Sequence, residues 1–274
     1  MTQARYRALA LERAGRIATV RIHPVSESFA MTPTAELHQE MGLVMSELRN
    51  DDSVHLVILT GARDGQFVVP PSTASYGSGG QQSGRLADGS AEWLRGTGII
   101  RAHQALAEME KPVIAAVNGD AFGFGSSLMF NCDLIVARED AQVCDMHLAL
   151  GTLMPTWGDE PVGPAFNMFP GDGGLSVVPL YMSPAKTKEY LMLAKDYTAR
   201  EMADAGWINY AVPAAGLAAK VDELAQALLA RAPEVIAYTK RVANRALVEH
   251  LNRTLDAGVA YEHVSIRAWL TTGR

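Results

Sequence analysis

Four features of this 274-residue chain bear on chemistry: one by its residue types and spacing, and three lone titratable residues whose position alone leaves a structural reading open beside a functional one. The first is Asn118-Gly119-Asp120-Ala121-Phe122-Gly123-Phe124-Gly125-Ser126-Ser127, a Gly-rich turn between an apolar run and an apolar helical stretch. Such a turn presents backbone N–H groups at a helix N-terminus, where the dipole favours negative charge, so it can bind a phosphate or hold an oxyanion. It can equally be a tight packing turn. It is not GxGxxG and no Gly-Lys-Ser/Thr follows, so the nucleotide-binding readings fail. The second is His147, closing Ala141-Gln142-Val143-Cys144-Asp145-Met146-His147, either a base poised near neutrality or a hydrogen-bonded structural histidine. The third is Asp172 in Pro170-Gly171-Asp172-Gly173, either an acid or a helix cap. The fourth is Glu262 on an amphipathic helix, either a functional carboxylate or part of a solvated face.

Other candidates are weaker. Ser127 has no G-x-S-x-G elbow around it and reads as packed rather than nucleophilic. His23, His38, His55, His103, His250 and His263 share no ligand spacing, and Cys132 and Cys144 form no CxxC pair. No metal site, structural zinc or disulfide framework is expected. Tyr76, Trp157, Phe166 and Phe169 sit in polar, Gly- and Pro-rich stretches, where they line a pocket or pack on one another.

The elements that must position these groups are legible in part. Ile17–Ile22, Val54–Thr60 and Pro112–Val117 are short and rich in β-branched residues, which predicts buried strands, with weaker ones at Asp133–Ala137 and Ala141–Cys144. Helical periodicity covers roughly 34–49 and 92–109, so the fold class is α/β. Ser183-Pro184 predicts an N-cap with Pro at the first helical position, and Thr198-Ala199-Arg200-Glu201 has the spacing of a capping box. Amphipathic stretches at about 217–231, 234–248 and 251–268 predict a helical region over 206–274, following a core over 1–205. Leu224, Leu228 and Leu229 give that region an apolar face suited to assembly. Residues 70–91 and 154–174 read as loops, the second long and aromatic enough to be functional.

Composition narrows the partners. Apolar residues make up 48% of the chain, enough for a sizeable core, and the net charge of -6 argues against a nucleic-acid surface. No stretch reaches the length a membrane helix needs, and the N-terminus lacks an apolar signal segment. A soluble, cytoplasmic protein acting on a small molecule is expected.

Lys111-Pro112-Val113-Ile114-Ala115-Ala116-Val117-Asn118-Gly119, then Gly123-Phe124-Gly125, then Cys132-Asp133-Leu134-Ile135-Val136-Ala137, resembles the central signature of the crotonase (enoyl-CoA hydratase/isomerase) superfamily. The similarity extends upstream to Val57–Gly61 and downstream to Tyr197–Asn209. It implies a spiral of ββα units, a C-terminal helical region used for assembly into trimers or pairs of trimers, and an oxyanion hole of two backbone N–H groups. One N–H would belong to Phe124. The other aligns with Pro71, in Phe67-Val68-Val69-Pro70-Pro71-Ser72, and proline has none to give. Both hydratase carboxylates are also replaced, by Ser127 and by His147.

These departures are similar to those of 6-oxocamphor hydrolase-like β-diketone hydrolases, which cleave a carbon–carbon bond by a retro-Claisen reaction without coenzyme A. That resemblance assigns His147, Asp172 and Glu262, the last in Ala260-Tyr261-Glu262, to the catalytic set. It places Met31 where that group has a Trp, and Phe124 where it has a second active-site His. Phe124, Met31 and Trp157 are the expected oxyanion and substrate-binding positions. In this reading His147 takes the proton from water, Glu262 holds its ring, and Asp172 protonates the departing enolate; no cofactor or metal takes part. Two alternatives stand beside it: an enoyl-CoA hydratase, isomerase or other CoA-thioester reaction, and a catalytically degenerate assembly subunit.

Overall fold

The computed structural model describes residues 6–24, 33–70, 90–149, 156–157, 160–161 and 167–272. Met31, Pro71, Tyr76 and Phe166 lie outside them, and of Trp157 only the backbone is described. The chain runs as repeated strand–strand–helix units. They are β1 (Leu9–Ala14), β2 (Ile17–Ile22) and α1 (Pro33–Arg49); β3 (Leu56–Gly61), β4 (Gly65–Val68) and α2 (Ser90–Glu108); and β5 (Val113–Val117), β6 (Gly119–Phe122) and α3 (Phe124–Phe130). Then β7 (Leu134–Arg138) and β8 (Gln142–Cys144) lead into a single 3-10 turn, Met146–Leu148. Two-residue strands β9 (Thr156–Trp157) and β10 (Glu160–Pro161) pair with each other. The chain continues through α4 (Gly174–Val177), α5 (Pro184–Met192), β11 (Tyr197–Thr198), α6 (Ala199–Asp204) and β12 (Tyr210–Val212). It closes on α7 (Leu217–Leu229), α8 (Pro233–Ala243) and α9 (Arg245–Thr272).

From β3 to β8, each unit sends its first strand to one sheet and its second to another. The larger sheet has the order β1-β2-β3-β5-β7-β12 and is parallel except for the β1–β2 hairpin. The smaller has the order β11-β8-β6-β4. Helices cover both faces of the larger sheet, which is why its central strands are apolar throughout. Along β5, Val113, Ala115 and Val117 join the main core, while Ile114 and Ala116 join the cluster beneath α7, following the two-residue period of a strand. Among the described residues, no helix is long and apolar enough to cross a membrane.

Local signals act as read: Ser183 caps α5 with Pro184 behind it, and Thr198 and Glu201 form a reciprocal capping box on α6. Three expectations need correction. Gly119–Phe122, read as part of a turn, is the buried strand β6, and the turn proper is at Gly123. Residues from 206 on are not wholly helical, because β12 pairs in parallel with β7; beyond it the helix breaks at Asn244, whose amide donates to Ala107 O at 3.0 Å. Leu224, Leu228 and Leu229 pack against the outer face of the large sheet rather than standing free. Among the described residues of the last two helices, the exposed large apolar side chains are Val235, Tyr238 and Val242 on α8, and Tyr261 and Val264 on α9.

Candidate active site

The C-terminal ends of β6 and β8, the start of α3 and the turn before α4 meet at one buried cluster. Gly123 sits at φ 54°, a conformation that favours glycine, and caps the start of α3. A Cβ at this position would lie 3.6 Å from Asp172 Oδ2 and 3.8 Å from His147 Cε1, so the turn that begins α3 borders both titratable groups. Phe124, the first residue of α3, keeps an amide that no helical carbonyl can pair. Its buried ring meets the edges of His38 at 4.1 Å and His103 at 5.8 Å.

His147 lies in the 3-10 turn after β8 and is buried. Its Nδ1 is 2.7 Å from Asp145 Oδ1, which also accepts the His147 backbone N–H at 3.2 Å. Its Nε2 faces Asp172 Oδ2 at 3.4 Å. The ring-holding role expected of Glu262 falls at Nδ1 to Asp145. The cause is local, since a residue two positions before a histidine at a strand end reaches the ring without crossing the core. Asp145 lies in the same segment, two residues before His147.

Asp172 does not cap α4. The cap position is Gly173, with no side-chain cap bond. The carboxyl instead accepts from Ser127 Oγ at 3.1 Å on Oδ1 and faces His147 on Oδ2. One carboxyl therefore spans the two positions, 127 and 147, where the family pattern would place two. Glu262 is fully buried on α9, and a Cβ on Gly171 would come 2.6 Å from Glu262 Cβ, so the helix seats directly on the turn carrying Asp172. Phe169 N donates to Ser265 Oγ at 3.0 Å and the Phe169 ring meets Tyr261 at 5.4 Å, fixing the same turn to α9.

Charge in this cluster is unusual. Burial opposes a charged His147, but Asp172, Asp145 and Glu262 outweigh it and raise the imidazole to about 10. Burial pushes Asp172 up to about 7, helped by Asp145 and Glu262 and opposed by His147 and Ser127. Between those values the pair holds one proton, shared by Nε2 and Oδ2. Passing it from nitrogen to oxygen creates a neutral base and a neutral acid together.

The donor atoms of Asp145, His147 and Asp172 all lie within 4.8 Å of one another, close enough to suggest a metal site. The 2.7 Å between Nδ1 and Asp145 Oδ1 is hydrogen-bond spacing, whereas two ligands about 2.0–2.2 Å from a tetrahedral zinc stand roughly 3.3–3.6 Å apart, so these two atoms do not share an ion.

The comparisons with known proteins agree with this architecture. Residues 13–266 match the family described as enoyl-CoA hydratase/isomerase, and the chain belongs to that crotonase family. It is 27% identical to a short-chain-enoyl-CoA hydratase of Clostridium acetobutylicum over 252 residues, covering 92% of this chain and 85% of that one. It is 30% identical to the carnitinyl-CoA dehydratase of Escherichia coli over 231 residues, covering 83% and 78%. Among solved structures, an enoyl-CoA hydratase/isomerase from Mycobacterium paratuberculosis superposes with a TM-score of 0.78 at 21% identity, covering 96% of this chain and 97% of that one. A β-diketone hydrolase from the cyanobacterium Anabaena, bound to (S)-3-oxocyclohexyl acetic acid, superposes with a TM-score of 0.76 at 21% identity, covering 97% and 98%.

Proposed function

We propose that this crotonase-family enzyme hydrolyses the bond between one carbonyl carbon and the central carbon of a β-diketone, in a retro-Claisen reaction. The observation that carries the reading is the buried carboxyl of Asp172, held between Ser127 and His147. Hydration of an enoyl thioester uses a base and an acid poised together on one double bond, and positions 127 and 147 no longer hold the carboxylates for it. Hydrolytic cleavage asks for a base on water and an acid at carbon, and the His147–Asp172 pair fits that demand.

In this mechanism Asp145 fixes the Nδ1–H tautomer of His147, leaving Nε2 as the base. Nε2 takes a proton from water, and the hydroxide adds to one carbonyl carbon. The amide of Phe124 holds the resulting oxyanion. Collapse breaks the carbon–carbon bond and leaves its electron pair as an enolate on the second carbonyl. Asp172, in its acid form, protonates the enolate carbon, and the proton on Nε2 then returns to Asp172. One water is consumed; a cyclic substrate opens to a single keto acid, and an open-chain one gives a carboxylic acid and a ketone. The negative field of Glu262 favours retention of the shared proton. Met31 and Trp157 are assigned to the substrate-binding wall, residues 1–205 to the catalytic core, and residues 206–274 to assembly as a homotrimer or pair of trimers.

A second reading follows from the curated relatives, whose names describe CoA-thioester hydration and dehydration. Parallel assays of cyclic 1,3-diketones, by loss of diketone absorbance, and of crotonyl-CoA separate the two. The proposal expects diketone turnover that Asp172→Asn lowers by roughly 10²–10⁴-fold, and no thioester hydration. Turnover of crotonyl-CoA with inert diketones would overturn it.

A further inference from the structure

We propose that His103, held by Asn131, is a positioning residue that fixes where the Asp172 carboxyl points. The inference rests on the reading of Asp172 as the acid, and its test is chosen to be read without substrate. His103 lies on α2 and is fully buried. Its Nε2 meets the backbone carbonyl of Asp172 at 2.8 Å, across 69 residues of sequence. Asn131 Nδ2 lies 3.1 Å from His103 Nδ1 and also donates to the His103 carbonyl at 2.9 Å. An amide N–H can only donate, so Nδ1 must accept and the ring proton sits on Nε2, aimed at Asp172. Burial lowers the His103 pKa to about 4, so the ring stays a neutral donor across the working pH range.

The neighbouring backbone is shaped to admit this ring. Gly173 has φ 111°, and a Cβ there would lie 2.0 Å from His103 Nε2. A side chain at 173 would therefore expel the imidazole from the carbonyl it holds. With the Asp172 carbonyl anchored on one side, its carboxyl is presented on the other to Ser127 and His147. His103 also packs edge-on against Phe124 at 5.8 Å, which ties the anchored turn to the start of α3. The arrangement resembles the outer-shell partners that orient ligands in other sites, where loss typically costs 10–100-fold.

A purely structural histidine would alter stability and nothing else, so the test reads the Asp172 carboxyl through its neighbour. The protein labelled with ¹⁵N-histidine is titrated by NMR to follow the His147 ring, which Asp145, Asp172 and Glu262 all face. His103→Leu and His103→Phe remove the donor, and Asp172→Asn serves as the reference for a lost carboxylate. The expected result is a His147 midpoint that falls most of the way to its value in Asp172→Asn. With diketone, kcat should fall roughly 10–100-fold while KM changes little. His103→Gln, whose amide nitrogen falls near the Nε2 position, should restore both. If neither donor-free variant folds, Asn131→Ala, which frees the ring without removing it, should move the midpoint in the same direction. A lower melting temperature with an unmoved His147 midpoint would overturn the proposal. Should Asp172→Asn itself keep full turnover, the functional reading fails, while the His147 midpoint still decides the role of His103.

Discussion

Replacing Ser127 by alanine should shift the acidic limb of the pH–rate profile upward. Below about 7 the cluster holds two protons, one on His147 and one on Asp172, and no base is free. Activity therefore rises as pH passes through the Asp172 value and the pair reaches its one-proton state. Ser127 Oγ donates to Asp172 Oδ1 at 3.1 Å, in a site where both residues are buried, and this bond favours the carboxylate. A hydrogen bond to a charged acceptor is worth about 1.5–3 kcal/mol and one to a neutral acceptor about 0.5–1.5, so its loss favours the acid by roughly 1 kcal/mol. At about 1.4 kcal/mol per pH unit, the limb should move from near 7 by about 0.7 pH unit toward 8. At pH 9 both proteins hold one proton in the pair, and their rates should agree within a few-fold. The variant should lose about 1 kcal/mol of stability from the missing bond. Steady-state kcat measured from pH 5 to 9.5 on both proteins is the assay. A limb that stays in place, or moves down, would refute the assignment of that limb to Asp172.

Three further outcomes test the scaffold. Lys240→Met should cost about 1.5–3 kcal/mol by denaturant unfolding, because it removes the ammonium now 2.6 Å from the partly buried Asp133 carboxylate. Ala194→Gly should stabilise by up to about 1 kcal/mol, since Ala194 stands at φ 46° in the position after α5 where Lys195 N reaches back to Tyr190 O. Light scattering should report a trimer or hexamer, and Tyr238→Glu, on the exposed Val235/Tyr238/Val242 stripe of α8, should lower that mass.

What the sequence disclosed follows from which forces are local. The central strands were legible because burial on both faces leaves unbroken apolar runs, as in Val113–Val117. Of the second sheet only β8 was read from sequence, because β4 and β6 span four residues each and β6 carries the polar Asp120 and a leading glycine. Of the site, His147, Asp172 and Glu262 stood out through resemblance, and the fold brings all three into one buried cluster. The partners that set their state were less visible. Asp145 sits two residues from His147, a spacing that could have been read, whereas His103 meets Asp172 only through tertiary packing. A lone histidine on a helix gives no sign of the turn it will anchor.

The reaction itself is tested most directly by isotope labelling. The enzyme is incubated with a cyclic 1,3-diketone in water enriched in both ¹⁸O and deuterium, and the product is analysed by mass spectrometry. The account predicts a ring-opened keto acid with one solvent oxygen in its new carboxylate and a solvent deuteron on the carbon released as the enolate. Recovery of intact diketone, alongside efficient conversion of crotonyl-CoA to its hydrated thioester, would contradict it.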